Sequence, residues 1–150
     1  MRQIIKEPND ILHKKCELVS DFNDARQVGY ELLQAIRSVS KWWNRRLGFA
    51  ANQIGYLERI IALRKGKDEY EIFYNPVLIE KRIPFLYIET CYSLDSKKYY
   101  LVKRYLYSKL RYYDESGIQR EKNLKGFSAI YHEIDHINGI MLSDIGFCIF

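Results

Sequence analysis

The middle of the chain, residues 58–114, constrains the fold most, because it consists largely of short runs rich in aromatic and β-branched residues. Such runs, bounded by turn residues, are typical of β-strands. Strands are expected over residues 58–64, 69–76, 77–82, 86–94 and 99–114. In the last of these runs a period of two appears at Leu106, Ser108, Leu110 and Tyr112. The DESG segment at 114–117 predicts a hairpin turn, so this region should form antiparallel sheet.

Helical periodicity appears on both sides of this region. From Asp24 to about Trp43, apolar residues recur three or four positions apart with charges between them, which predicts one long amphipathic helix. Helical character returns over residues 125–139, where Asn138 and Gly139 supply a stop signal. A chain of 150 residues with 47% hydrophobic composition supports one core, so residues 1–150 should form a single domain.

Composition also limits which binding partners and which cellular compartment are expected. The net charge is +5, but acidic and basic residues are interspersed, which favours a solvated basic surface over the alternative of contact with RNA. The three cysteines form no CxxC pair and leave one over, so we expect a reducing compartment and no disulfide framework. There is no apolar leader and no run of about 18 apolar residues, so the sequence predicts a cytoplasmic protein that binds neither membrane nor DNA.

The segment YHEIDHINGI (131–140) contains two of the three histidines. On an α-helix, residues four apart lie on the same face, so His132 and His136 can direct imidazole nitrogens at one point, with Glu133 beside them. Two histidines at this spacing bind a divalent metal in metallohydrolases, where the glutamate acts on a bound water. The alternative is a solvated polar face with two ordinary histidines.

A hydrolytic site of this kind needs a third protein ligand. The metzincin pattern HExxHxxGxxH is matched as far as Gly139, but Leu142 stands where the third histidine is required. Downstream of His136 the only acid is Asp144, which leaves no glutamate for a gluzincin-type site. The third ligand is therefore expected upstream.

The upstream candidates are Cys91, Cys16, His13 and several carboxylates. Cys91 lies on a predicted strand in the middle of the sheet, where a rigid scaffold could hold a thiolate facing the helix. Cys16 lies near the N-terminal end, which favours Cys91. Both cysteines could instead be small buried hydrophobes, and that is the role we expect for Cys148.

A second unusual segment is LGFAANQIG (47–55). Gly48, Ala50 and Ala51 would let the backbone approach another group closely, and Gln53 could place an amide donor in a pocket. The alternative is a tight connection between the long helix and the first strand.

The segments GFAANQ (48–53), ETCYS (89–93) and HEIDH (132–136), in this order, resemble the signature motifs GxGLAAxQ, EGCLS and QHExDH of the peptide deformylases. The resemblance runs from the IIKEPND opening through YNPVLIEK to the last motif, and so covers most of the chain. It implies an α+β fold in which antiparallel β-sheets pack around a central helix carrying the HExxH motif, together with the long N-terminal helix.

The same resemblance implies one divalent metal ion held by Cys91, His132 and His136. The native metal of the family is usually ferrous iron, Fe(II), and is zinc in some members. A thiolate and two imidazoles would also suit Zn(II), Ni(II) or Co(II), so the sequence does not choose among them.

The reaction implied is hydrolysis of the formyl group of N-formylmethionyl nascent peptides, with release of formate. In that reaction Glu133 is the expected base, which takes a proton from water and passes it to the leaving amine. The amide of Gln53 and the backbone N–H of Tyr92 are the expected donors to the oxyanion.

Several positions depart from the family pattern. Aromatic residues replace leucine at Phe49 and Tyr92, and the remaining departures are Arg46, Thr90 and Tyr131. None of these changes removes a ligand, the base or the amide. They leave the substrate preference open, because the methionine pocket is expected to be lined by Gly48, Phe49, Tyr92, Ser128 and Ala129.

The chain lacks the long C-terminal helix that many bacterial members carry and that is associated with docking on the ribosome. The resemblance therefore gives little support for ribosome binding. Short forms are familiar from phage and from second copies in some bacteria, so action in the cytoplasm of a bacterium or of a phage-infected host is expected. The alternatives are a related metallo-amidase or peptidase of different acyl specificity, and a catalytically silent module that keeps the metal for structure.

Overall fold

The computed structural model describes residues 2–41, 47–95, 97–126 and 128–149. Within these residues the strands are β1 (Gly48–Ala50), β2 (Ile60–Gly66), β3 (Glu69–Glu89), β4 (Tyr100–Tyr113), β5 (Gln119–Lys125) and β6 (Phe147–Cys148). The α-helices are α1 (Phe22–Val39), α2 (Ile130–Ile137) and α3 (Leu142–Ile145), and short 3-10 helices span Asp10–His13 and Ala51–Ile54. The strands form one antiparallel sheet in the order β1-β2-β3-β4-β5, with β6 beside β4.

Helix α1 begins after Asp21, whose carboxylate accepts hydrogen bonds from the backbone N–H groups of Asn23 and Asp24. The sequence pattern predicts this helix from Asp24 to about Trp43. In the structure the helix ends at Val39, and Trp43 lies outside the described residues. The buried residues of α1 include Ala25, Val28, Leu32, Ala35 and Ile36.

The central strands bury side chains on both faces of the sheet. In β2, Ile60 and Ala62 belong to a core shared with α1, whereas Ile61 between them belongs to a second core shared with α2. Successive side chains of a strand point to opposite faces, so α1 and α2 lie on opposite sides of the sheet. No helix in the part of the chain described here is long and apolar enough to cross a membrane.

Strand β3 differs from the sequence prediction. The runs 69–76, 77–82 and 86–94 are expected as separate strands, but β3 is one continuous strand of 21 residues. It ends at Glu89, so the rest of the last run, including Cys91, follows the strand instead of belonging to it.

The strand continues through its two prolines because only one of its edges is paired there. Pairing with β2 ends at Tyr74, beyond which β3 pairs with β4 alone among the described strands. Proline, which has no N–H to donate, is tolerated on such an edge strand or at a bulge. Pro76 lies where the register with β4 shifts, between Tyr74 and Val77. Pro84 follows Ile83, whose φ is +61°.

Strands β4 and β5 follow the predicted pattern. Ser108, Leu110 and Tyr112 are buried and Leu106 is half-buried, which confirms the period of two. The turn that joins the two strands contains Gly117 at φ +75°, so the predicted hairpin is also confirmed.

Helix α2 ends where the sequence signals predict. Asn138 is its C-cap, and Gly139 follows at φ +73°. A Cβ added at Gly139 would lie 2.7 Å from the carbonyl oxygen of His13. Glycine is therefore required for both the backbone angle and the close approach of the N-terminal segment.

Candidate metal centre

Three potential metal ligands converge beside α2. His132 Nε2 and His136 Nε2 are 3.1 Å apart, and Cys91 Sγ lies 3.3 Å from His136 Nε2. The three donor atoms all lie within 4.8 Å of one another. The imidazoles come from successive turns of one helix, in agreement with the four-residue spacing. The opposite side of that helix is anchored in the core by Ile130, Ile134 and Ile137.

Cys91 reaches the site from a turn and not from a strand. Pairing between β3 and β4 ends at Glu89 opposite Tyr100, so the chain has left the sheet before residue 91. The Cys91 carbonyl then accepts a hydrogen bond of 3.1 Å from Leu94 N, which closes the turn. The prediction of a strand at Cys91 is therefore wrong.

Cys16 and His13, the other named upstream candidates, do not belong to the group of converging donor atoms. Cys16 is buried in the core shared with α2, where burial raises the pKa of its thiol to about 11. The imidazole of His13 contacts the carboxylate of Glu7 instead. Cys148, expected to be a small buried hydrophobe, is exposed instead, because it lies on the short strand β6 at the surface.

Glu89 fixes the ring of His132. Its Oε1 lies 3.0 Å from His132 Nδ1, and Arg104 donates two hydrogen bonds of 2.7 Å to the same carboxylate. Burial by itself would raise the pKa of Glu89, but the hydrogen bonds from Arg104 and His132 lower it to about 2. An ionised carboxylate can only accept, so His132 donates from Nδ1, and its Nε2 faces Cys91 and His136.

Arg104 is a residue of this network that sequence reasoning misses. It is 5% exposed, and it also donates to Asp135 Oδ2 at 2.7 Å. The signal that could have found it is the period of two in β4, which places Arg104 in line with the buried Val102 and Ser108. A charge at an inward position of a strand requires a partner of opposite charge.

Glu133 is a buried carboxyl, and one of its oxygens has no hydrogen-bond partner in the described part of the chain. The residue is 4% exposed, and that oxygen is Oε2. Burial raises the pKa of Glu133 to about 7. Its Cγ lies close to the backbone of Gly48, where an added Cβ would stand 3.1 Å away. A carboxyl in this state can both accept and donate a proton near neutral pH.

The donor set fits a divalent metal ion. Burial lowers the pKa of His136 well below its ordinary value, so its ring is the neutral imidazole that binds metals. Two imidazole lone pairs that face each other at 3.1 Å repel unless a proton or a cation lies between them. One cysteine and two histidines form a ligand set that suits zinc or iron and leaves a coordination position for water.

Gln53 lies in the 3-10 helix Ala51–Ile54 and is 1% exposed. Its Oε1 accepts a hydrogen bond of 2.9 Å from Ala50 N, and its Nε2 donates to Ser93 Oγ at 3.0 Å. Ser93 Oγ in turn donates to the Ile5 carbonyl at 2.7 Å. These bonds fix the orientation of the amide and use only one of its two N–H groups.

Asn52 and Ser93 are further residues of the site that sequence reasoning misses. Asn52 Nδ2 donates to the His136 carbonyl at 2.6 Å, which ties the 3-10 helix to α2. Ser93 links Gln53 to the N-terminal segment. Asn52 lies in the motif segment 48–53, and Ser93 lies in the segment 89–93. Both side chains are fully buried, so their hydrogen bonds inside the protein define their roles. The local sequence pattern does not reveal these contacts.

The residues expected to line the methionine pocket lie in two regions, one around β1 and the turn after Cys91 and the other at the start of α2. Phe49 is fully buried and meets the 40% exposed ring of Tyr92 edge-on, with centroids 5.7 Å apart. Gly48 lies beside Glu133. Ser128 and Ala129 are half-buried at the start of α2, where Ser128 Oγ accepts a hydrogen bond from the first turn. Their pocket role stays a prediction.

The structure describes one of two further positions that depart from the family motifs, Tyr131, but not the other, Arg46. Tyr131 is buried. Its hydroxyl donates to the Tyr105 carbonyl at 3.0 Å and lies within hydrogen-bond distance of Ser108 Oγ, at 2.6 Å, so it joins α2 to β4. Arg46 lies outside the described residues.

Comparisons with known proteins all find similarity to the same family. The family model described as polypeptide deformylase matches residues 1–145. Peptide deformylase 1 of Clostridium perfringens (strain 13 / Type A) is 32% identical over 148 residues, which cover 96% of this chain and 97% of that protein.

Solved structures agree with the sequence relatives. A peptide deformylase from Plasmodium falciparum is 30% identical, with a TM-score of 0.84 over 97% of this chain and 86% of that one. A probable peptide deformylase from Synechococcus phage S-SSM7 is 25% identical, with a TM-score of 0.83 over 97% of this chain and 99% of that one. Sequence and backbone therefore point to the same group of proteins over nearly the whole chain.

Proposed function

This chain belongs to the polypeptide deformylase family, and we propose that Cys91, His132 and His136 hold the divalent metal on which its activity depends. Membership of the family makes it a metal-dependent hydrolase that removes the N-formyl group from nascent peptides. The observation that carries the residue assignment is the convergence of one sulfur and two imidazole nitrogens within 4.8 Å.

Ferrous iron is the metal that we propose, and Zn(II), Ni(II) or Co(II) would suit the same ligands. A soft thiolate together with two imidazoles supports iron or zinc over magnesium or calcium, which prefer oxygen ligands. When bound, the metal supplies Lewis acidity, which makes a water more acidic and polarises the formyl carbonyl. Glu89 contributes indirectly, because it orients His132 through Nδ1.

Glu133 is the proposed general base and general acid. Its buried carboxyl has an oxygen without a partner in the described structure, so it is available for proton exchange. It would take a proton from the attacking water and then pass that proton to the leaving amine of the peptide. This transfer releases formate and a free N-terminus.

Gln53 and the backbone N–H of Tyr92 are the proposed donors to the oxyanion. The Gln53 side chain is held by Ala50 and Ser93, so its remaining N–H has a fixed direction. Tyr92 directly follows Cys91 in the turn, which places its N–H next to the proposed sulfur ligand. Donors that are fixed before the reaction stabilise the developing negative charge without reorganisation.

The proposed substrate is an N-formylmethionyl nascent peptide, with Gly48, Phe49, Tyr92, Ser128 and Ala129 lining the methionine pocket. The contact between Phe49 and Tyr92 supports a pocket wall that is more aromatic than the usual leucines would form. Since nascent chains are made in the cytoplasm, we place the activity there, in a bacterium or in a phage-infected host.

The deciding experiment is anaerobic reconstitution with Fe(II), Ni(II) or Co(II), followed by measurement of formate released from a formyl-Met peptide. Glu133→Gln should retain one metal per chain and lose turnover by a factor of at least about 100. Glu80→Gln, which changes an exposed glutamate, is the matched control and should keep full activity. A wild-type protein that binds one metal and leaves formyl peptides intact would contradict the proposal.

A further inference from the structure

A cavity of about 800 Å³ lies beside α2. Helix α2 contributes Tyr131, Ile134 and Asp135 to its wall, and the C-cap Asn138 adds a fourth residue. Neither the two histidines nor Glu133 lines it. A cavity of this volume is in the range of pockets that hold small organic ligands. It is therefore separate from the proposed deformylation site.

The cavity combines a closed apolar floor with an exposed apolar rim. Cys16 and Val102 line it and are almost fully buried. Leu18, Val77 and Ile145 also line it, but they are 73%, 45% and 47% exposed. Exposed apolar side chains that gather around one cavity are typical of a surface that binds an apolar partner.

The same wall carries a strong excess of positive charge. Among the described residues of this wall, the cations are Lys15, Arg59, Lys81, Lys103 and Arg104, and the only acid is Asp135. Arg104 is neutralised by Glu89 and Asp135. In the part of the chain that the structure describes, the other four cations have no carboxylate oxygen within 4.0 Å.

Arg59 is the most informative of these cations. It is half-buried, and its guanidinium donates to Asn138 Oδ1 at 2.9 Å and to the Ile137 carbonyl at 3.3 Å. Both acceptors are uncharged, so the desolvated positive charge has no counter-ion among the described residues. A partly desolvated charge without a counter-ion costs free energy, and an anion bound in the cavity would reduce that cost.

We propose that this cavity binds a single-chain amphiphilic anion, with a carboxylate head on Arg59 and an apolar chain against Leu18, Val77 and Ile145. The planar guanidinium fork matches a carboxylate. A small inorganic anion would leave the apolar rim uncovered, and a neutral amphiphile would leave Arg59 without a counter-ion. The proposal is independent of deformylation, because no metal ligand and no part of the reaction takes part in it.

The test uses dodecanoate as the probe, titrated into the metal-loaded 18.0 kDa protein below the concentration at which the probe forms micelles. Calorimetry measures the affinity, and methyl NMR locates the site. We expect one dodecanoate per chain, with shifts at Leu18, Val77 and Ile145 and none at Leu63, which lies beside Gly48 near the metal centre. Dodecanol, the neutral analogue, should bind at least about tenfold more weakly.

Separate variants test the binding of the carboxylate head and of the apolar chain of dodecanoate. Arg59→Gln should weaken dodecanoate binding by about tenfold or more. In case that change disturbs folding, the double variant Lys81→Gln/Lys103→Gln and the single variant Val77→Asp alter exposed positions and should each weaken binding as well. Lys67→Gln, an exposed lysine outside the cavity, is the matched control and should leave the affinity unchanged.

Three results would overturn the proposal. The first is methyl shifts confined to the metal centre, with dodecanoate competing against formyl peptides. The second is an affinity that neither the double lysine variant nor Val77→Asp alters. The third is sedimentation showing that a second copy of the chain covers the cavity. Formate release is measured separately, so failure here would leave the deformylase assignment intact.

Discussion

The Glu89 carboxylate accepts a hydrogen bond from His132 Nδ1 at 3.0 Å, and this contact directs the opposite ring nitrogen towards Cys91 and His136. Arg104 holds the same carboxylate from the side of β4. The orientation of a proposed metal ligand on α2 therefore depends on a charge pair between the end of β3 and the middle of β4. The consequences can be measured one residue at a time.

Glu89→Gln should weaken metal binding by about 10- to 100-fold. In the native protein Oε1 of Glu89 accepts from both His132 and Arg104, and Oε2 accepts a further bond from Arg104 Nε. The neutral amide carries an NH2 group in place of one of these oxygens, so at least one of these bonds is lost together with the negative charge. Competition with a chromogenic chelator gives the affinity. Glu80→Gln serves as the control, since Glu80 is an exposed partner of Lys109 at 3.6 Å. Equal affinities for the two variants would rule out the orienting role of Glu89.

Arg104→Met should lower the free energy of unfolding by about 3–5 kcal/mol, because it leaves the buried Glu89 and the half-buried Asp135 without their counter-charge. Urea denaturation of the metal-free protein measures this loss. The matched control on the same strand is Arg111→Met, whose ion pair with Glu121 is exposed and should contribute at most about 1 kcal/mol. Similar losses in both variants would contradict a special role for Arg104.

The stability of the metal-free protein should depend on pH through Glu133. Burial raises the pKa of this carboxyl from its ordinary value of 4.5 to about 7 in the folded state. The folded state then holds its proton more tightly than the unfolded state, so wild-type stability falls as pH rises through this interval. The full difference corresponds to about 3 kcal/mol.

Glu133→Gln removes this titration, so it provides the measurement. The free energy of unfolding of the variant minus that of the wild type should grow between about pH 4.5 and pH 7 and stay constant at higher pH. Urea denaturation at a series of pH values follows the difference. A difference that does not change with pH would show that the folded protein accommodates the ionised carboxylate.

Cys91→Ser should strongly reduce binding of thiophilic metals such as Zn(II) and Co(II), because it replaces the only sulfur among the proposed ligands. Cys16→Ser is the matched control, since that thiol packs in the core away from the histidines. Metal content after dialysis should fall in the first variant and stay at one per chain in the second. The reverse result would transfer the ligand role to Cys16.

Local pattern was sufficient for elements whose residues are neighbours along the chain. The i, i+4 spacing of His132 and His136 places their rings together on α2. The period of two in β4 and the turn signals around Gly117 and Gly139 also appear in the structure as the sequence predicts. Each of these features depends on backbone geometry within a few residues.

Local pattern failed where pairing between distant segments decided the outcome. Three separate strands are expected from the sequence in the region that forms β3, but continuous pairing with β4 joins them, and the prolines lie where no other described strand pairs with β3. Cys91 looked like a strand residue, whereas the end of pairing at Glu89 placed it in a turn. In both cases the partner strand, which no local window contains, set the limits of the element.

The sequence by itself determined that two histidines and a glutamate share one helix, and its three motifs identified the family. Those motifs also implied Cys91 as the third ligand. Only the tertiary structure showed that Cys91 reaches the histidines from a turn, that Arg104 and Glu89 orient His132, and that a basic apolar cavity lies beside α2. The physical reason is that helix spacing is a property of the local backbone. Ligand convergence, buried charge pairs and cavities instead arise from contacts between segments far apart in the chain, which form only when the whole core packs.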